Sequence, residues 1–119
     1  MDEMKLGNAP INVARYILKL AQDGDNALTP MQVLKLVYIS HGWQLGLHGR
    51  PLVNEPIEAW QYGPVVPSVY HRYKRFGSRF IDDIPESLPG VFDSSEKSVM
   101  KQVFKGYGGR SGSAYRLDA

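Results

Sequence analysis

The spacing of apolar positions changes several times along the chain, and each change predicts an element. Val13, Ile17 and Leu20 recur at helical spacing, with Ala14, Leu18 and Ala21 widening the stripe, so a first helix is expected from Ile11 to about Gln22. Asp23-Gly24-Asp25-Asn26 ends it, and Tyr16 falls at the edge of its stripe. Residues 1–10 read as a loose lead-in in which Asn8 or Asn12 offers a cap. The second helix has the clearest start: Thr29 as N-cap, Pro30 at the first helical position, and Gln32 completing a capping box. From Met31 through Val33, Leu34, Leu36, Val37, Tyr38 and Ile39 to Leu45 the helix is apolar nearly all round, which marks it as central. It should run from about 30 to 47, with Gly49 supplying a left-handed turn after it. Gly42, an interior glycine, suggests a close packing contact.

Beyond Arg50-Pro51 the period shortens. Leu52-Val53 and the run from Ile57 to Tyr62 are expected to form a short β-hairpin or an edge strand within about 52–62, leaning on the helices because two strands alone are marginal in water. Gly63, Pro64 and Pro67 then make a rigid corner, since Gly63 admits angles closed to other residues and both prolines fix φ. A third helix follows from about Pro67 to Phe76, closed by Gly77. Next comes a loop over 78–92 anchored by Phe80, Ile81, Ile84 and Leu88. Asp93 with Glu96 repeats the capping-box pattern, and Val99, Met100, Val103, Phe104 and Tyr107 mark a fourth helix to about Lys105. A glycine- and serine-rich run from about 108 to 119 reads as a flexible tail. The expected fold is α+β, mainly α: one domain over 1–119, about four helices around the central one.

Composition narrows the chemistry. The chain has 119 residues, 43% of them hydrophobic, and a net charge of +2. That suits one globular core and is too weak a charge to argue for nucleic acid. With no cysteine there is neither a disulfide, a thiolate metal site nor a cysteine nucleophile. The N-terminus lacks the apolar run of a signal peptide and nothing approaches the ~20 apolar residues of a membrane span, so a cytoplasmic protein without membrane partners is expected.

No catalytic constellation emerges. His41 and His48 share a helix face but lie roughly 10 Å apart along its axis, too far for one metal. Ser40 and His41 are adjacent and diverge, and the glycine-rich run after Gly106 follows a helix, without the Gly-Lys-Ser/Thr ending of a phosphate loop. Neither a cofactor, a metal nor enzymatic activity is expected. Arg72, Lys74, Arg75 and Arg79, interleaved with Tyr70, Tyr73, Phe76 and Phe80, form the one basic-aromatic segment that could track phosphates. The simpler account makes its aromatics core and its cations a solvated face, so a nucleic-acid partner is not expected. The second helix is no recognition helix either, because its outward polar residues are only Gln32, Lys35 and Gln44. The aromatic content near the corner is more informative. Tyr38, Trp43, Trp60, Tyr62 and Tyr70 sit on three adjoining elements and would cluster if the corner crosses the second helix. Two readings stay open, rings in the core and rings in a protein-binding patch. On the second, the partner-binding candidates are these five with Gly63, Pro64, Val65 and Pro67, and the neighbouring strand offers an edge to a partner.

These same residues carry a resemblance. Thr29-Pro30-Met31-Gln32-Val33-Leu34-Lys35-Leu36-Val37-Tyr38, His41-Gly42-Trp43, and Glu58-Ala59-Trp60 through Tyr62-Gly63-Pro64-Val65-Val66-Pro67-Ser68-Val69-Tyr70 resemble, in order and spacing, the Panacea domain of phage-associated GepA-like proteins and SocA-like antitoxins. The match is specific over roughly residues 11 to 77. The segment after Tyr107-Gly108 and Ser111 departs from the family pattern, which continues into a further helix. The resemblance implies a non-catalytic module of bacteria or their phages, the antitoxin of a toxin–antitoxin pair, which neutralises a cognate toxin by binding it. The resemblance also implies, as the alternative, a proteolytic adaptor with a protease as partner; beside it stand a regulatory protein that binds nucleic acid through the basic-aromatic segment 70–80, and a second copy of the chain as a further partner.

Overall fold

Thr29 and Gln32 cap each other as the sequence predicts: the Gln32 N–H donates to Thr29 Oγ1 at 3.3 Å and the Thr29 N–H to Gln32 Oε1 at 2.9 Å. The structure, a computed structural model, describes residues 6–108. Residues 1–5 of the expected lead-in and the expected tail from Gly109, with its departure from the family pattern, lie outside the described residues. From the Thr29 cap, α2 (Pro30–His48) runs to Gly49, whose φ of +68° is the expected left-handed turn. Before it comes α1 (Pro10–Asp23). After it come β1 (Glu58–Trp60), β2 (Gly63–Val65), α3 (Pro67–Tyr73) with a 3-10 turn at Lys74–Phe76, and α4 (Ser94–Val103) with a π turn at Phe104–Gly108. The class is α+β, mainly α, and α2 packs against α1, α3, α4 and the second strand. No helix among the described residues is long and apolar enough to cross a membrane.

The core lies between α1, α2 and α4. Val13, Ala14, Ile17, Leu18 and Ala21 of α1 meet Val33, Leu36 and Val37 of α2 and Val99, Met100 and Val103 of α4. Asp93 and Glu96 form the second predicted capping box, and the Arg50 side chain reaches Asp93 at 3.3 Å and the Ser95 hydroxyl at 2.8 Å, tying the end of α2 to the start of α4.

Several expectations are corrected. The lead-in is not loose where it is described, and Asn8 caps nothing; Ala9 holds the N-cap position of α1. Asn8 is instead buried, its backbone bridged to Val53, its side-chain amide donating to the Leu52 carbonyl at 2.8 Å and to Glu96 Oε2 at 3.0 Å. Gly7 permits this approach: at φ +104° a Cβ there would lie 2.7 Å from the Val53 backbone. Leu52-Val53 therefore does not pair with the following strand. The partner of β1 is the corner itself, with Glu58 opposite Val65, Ala59 opposite Pro64 and Trp60 opposite Gly63. Tyr16 is not peripheral but 1% exposed, because Phe92 covers it edge-on at 5.2 Å. In the 78–92 loop Ile81 is buried and Ile84 packs partly buried against the core, as expected, while Phe80 (61% exposed) and Leu88 face solvent and Phe92 is a further buried anchor. No atom lies within 4 Å of a Cβ built on Gly42, so that glycine answers no packing contact. Gln44, taken as outward and polar, is fully buried and donates to Ser95 Oγ at 3.4 Å.

Candidate functional site

Helix α2 carries two apolar stripes. Val33, Leu36, Val37, Ser40 and Gln44 are buried, whereas Met31, Lys35 and Tyr38 lie on the opposite side, about 180° away by the helical repeat, with Leu34 and Ile39 on its flanks, partly buried against the core. The all-round apolar sequence thus resolves into a core face and an outer face. Against the outer face leans the β1–β2 hairpin. Gly63, at φ +123°, follows its turn; Pro64 and Val65 bring the chain down onto α2; and Pro67 opens α3, which carries Tyr70.

Two clefts result, one on each side of Pro64. The first, of about 110 Å³, is lined by Met31, Leu34, Lys35, Trp60, Tyr62, Pro64, Val65 and Tyr70. The second, of about 290 Å³, is lined by Lys35, Tyr38, Ile39, Pro64 and Tyr107. Lys35 and Pro64 belong to both, so the clefts form one broken groove. The Trp60 and Tyr70 rings meet edge to face at 5.1 Å, His71 stands beside Tyr70 at 5.4 Å, and the Trp60 indole N–H donates to Glu58 Oε1 at 2.9 Å. These contacts orient the Trp60 ring and leave it 37% exposed; Tyr38 is 44% and Tyr62 77% exposed. The reading of these rings as core fails for geometric reasons. A two-stranded hairpin has one covered side at most, and the α2 stripe bearing Tyr38 faces away from the α1–α4 core.

Among the nine partner-binding candidates, the structure brings Tyr38, Trp60, Tyr62, Pro64, Val65 and Tyr70 to this groove. Gly63 and Pro67 shape its walls. Trp43 is set apart, about 140° around α2 from Tyr38, and lines neither cleft. Sequence reasoning missed Met31, Leu34, Lys35, Ile39 and Tyr107. Four of them are spaced along α2 at helical intervals with Tyr38, a signal present in the sequence but masked by the apolar residues all round the helix. A separate hollow of about 270 Å³ lies between the α1–α2 connection and the Phe80–Ile84 loop, away from the aromatic corner.

The remaining candidates do not assemble. Arg72 and Arg75 both reach Asp83, at 3.8 and 3.4 Å, and Arg75 and Arg79 stack over the Phe76 ring. Tyr73 and Phe76 are buried, and Arg72 and Arg75 share the Asp83 carboxylate, so half of the segment's aromatics face the core and, among the described residues, two of its four cations are ion-paired. His41 Nδ1 accepts the Leu52 and Val53 N–H groups at 3.2 and 3.3 Å, and burial lowers its pKa. His71 belongs to the aromatic corner and His48 to the end of α2. Among the described residues no group of three or more His, Asp or Glu converges as a metal site.

Comparison with known proteins adds the context of these residues. The family described as Antitoxin SocA-like, Panacea domain, matches residues 33–115, more than half of the chain. Antitoxin SocA of Caulobacter vibrioides is 41% identical over 69 residues, 58% of this chain and 37% of the relative. The chain thus spans little more than a third of that relative's length. No solved structure matches.

Proposed function

The chain belongs to the SocA-like antitoxin family, Panacea domain, and from that premise we propose that it is a non-catalytic interaction module, an antitoxin that neutralises a cognate toxin protein by binding it directly through the hairpin–α2 groove. One observation carries the placement. The residues that make the family resemblance divide into those that hold the fold and those that do not. Thr29 and Pro30 start α2 and Leu36 is core, whereas Tyr38, Trp60, Tyr62, Pro64 and Tyr70 are set along one solvent-facing groove. A row of aromatic rings and a proline in a shallow apolar groove costs solubility and contributes little to the core, and it has the composition of binding hot spots. The dispersed histidines and the ion-paired arginines lend no comparable support to catalysis or nucleic-acid binding. A cytoplasmic location belongs to this reading.

Co-expression with each flanking open reading frame tests it. A neighbour that arrests growth alone, is tolerated with this chain and co-purifies with it is the expected result. Rescue without a complex would remove direct binding from the account, and absence of any toxic neighbour would remove the antitoxin role.

A further inference from the structure

One cation stands among the otherwise uncharged residues that line the groove. Lys35 is half-buried between the two clefts and is common to both. Among the described residues no acid forms an ion pair with it. Glu58, the acid on the adjoining hairpin, has Oε1 engaged by the Trp60 indole at 2.9 Å. Asp83 serves Arg72 and Arg75, and Asp93 serves Arg50. A segment that seats on Met31, Leu34, Trp60, Tyr38 and Ile39 covers the Lys35 side chain and, where it reaches the ammonium, displaces water from it. A wholly apolar occupant leaves that charge unpaired and is penalised. An occupant with a carboxylate at that point replaces the lost water by a charge-assisted hydrogen bond.

Building on the antitoxin reading, we propose that the groove recognises a segment of the toxin in which one Asp or Glu, seated on Lys35, is flanked on both sides by apolar side chains that fill the two clefts. Pro64 divides the clefts, so each flank has its own slot, and the central acid sets the register. An interface built this way selects among apolar segments by the charge between the slots, which the aromatic rings alone cannot do.

The test pans a library of random linear peptides, displayed on phage, against the wild-type chain, Lys35→Glu, Lys35→Gln and Trp60→Ala, with thermal melting confirming that each is folded. Wild type is expected to enrich peptides with an acid between apolar residues. Changing that acid to its amide should weaken binding of the labelled peptide about tenfold or more, and Lys35→Gln should do the same. Lys35→Glu should enrich a Lys or Arg at the same place. Several outcomes overturn the proposal. They are enrichment without an acid, acidic peptides that bind Lys35→Glu equally well, no peptide that distinguishes wild type from Trp60→Ala, or a wild-type dimer abolished by Lys35→Glu, which would seat a second copy in the groove. Toxin neutralisation separates this proposal from the reading beneath it. Neutralisation lost in Trp60→Ala but kept in Lys35→Gln removes the acid readout and leaves the interface, whereas neutralisation kept in Trp60→Ala removes the interface itself.

Discussion

Trp60→Ala tests whether the aromatic corner serves binding or folding, because the two roles predict different sizes of effect. The ring touches Tyr70 edge to face at 5.1 Å and donates to Glu58 at 2.9 Å, both at the surface, and it is 37% exposed on a hairpin outside the α1–α2–α4 core. An aromatic pair of this kind contributes about 0.5–1.5 kcal/mol, and the solvent-exposed hydrogen bond adds little. With the partly buried ring area, the loss in stability should be about 1–2 kcal/mol, set against the ~5–15 kcal/mol of an ordinary domain. The variant should therefore melt only about 5–10 °C lower and stay folded at growth temperature. A tryptophan in the centre of an interface behaves differently, since truncating it typically removes about 2 kcal/mol or more of binding, roughly thirtyfold in Kd. Calorimetric titration of the co-purifying toxin, with a melt of each protein alone, measures both quantities. Trp60→Phe, which keeps a ring against Tyr70, should recover much of the affinity. A folded Trp60→Ala that binds within about threefold of wild type would refute the reasoning, because it would make Trp60 a fold residue that happens to face water.

Three further predictions concern the scaffold. Gly7→Ala should destabilise by about 1–3 kcal/mol, seen as a lower denaturant midpoint, because the side chain meets the Val53 backbone at 2.7 Å and φ is +104°. His41 has its pKa lowered by burial from 6.5, so the stability it contributes is present above about pH 6.5 and is lost as pH falls through its folded pKa. Denaturant midpoints between about pH 7.5 and 5 should fall in wild type and flatten in His41→Ala, which lacks the acceptor for the Leu52 and Val53 N–H groups. For Asp93, burial disfavours the charge, but the Glu96 N–H, the Ser95 hydroxyl and Arg50 outweigh it and bring the carboxyl to about 2. Its contribution is therefore full above about pH 4 and lost between there and about pH 2. At neutral pH Asp93→Ala should cost about 1 kcal/mol in a denaturation curve, the usual worth of an N-cap.

The helices were legible because their starts are written locally: Thr29 with Gln32 and Asp93 with Glu96 need only a few residues to act. The sheet was not, since Leu52-Val53 looks like a strand in isolation, and contacts from elsewhere in the chain decide where it goes: Asn8, 44 residues away from Leu52, and the His41 ring that accepts the Leu52 and Val53 N–H groups. Tyr16 misleads for the same reason, its cover being Phe92. The aromatic half of the groove could be read from the Trp60–Tyr70 corner, where glycine and proline fix a turn. The α2 half could not, because an apolar helix gives no period from which to tell a face that meets the core from one that meets a partner. Lys35 and Gln44 show this most clearly. Both read as polar positions facing outward, yet Gln44 is fully buried and Lys35 sits in a groove.

The central claim is that the toxin occupies the hairpin–α2 groove, and amide hydrogen exchange on the complex tests it most directly. The account predicts slowed exchange over residues 31–39 and 58–70 when toxin binds, with α1 and the Phe80–Ile84 hollow unchanged. Protection confined to that hollow or to the Arg72–Arg79 segment, with the groove exchanging as in the free chain, would contradict it.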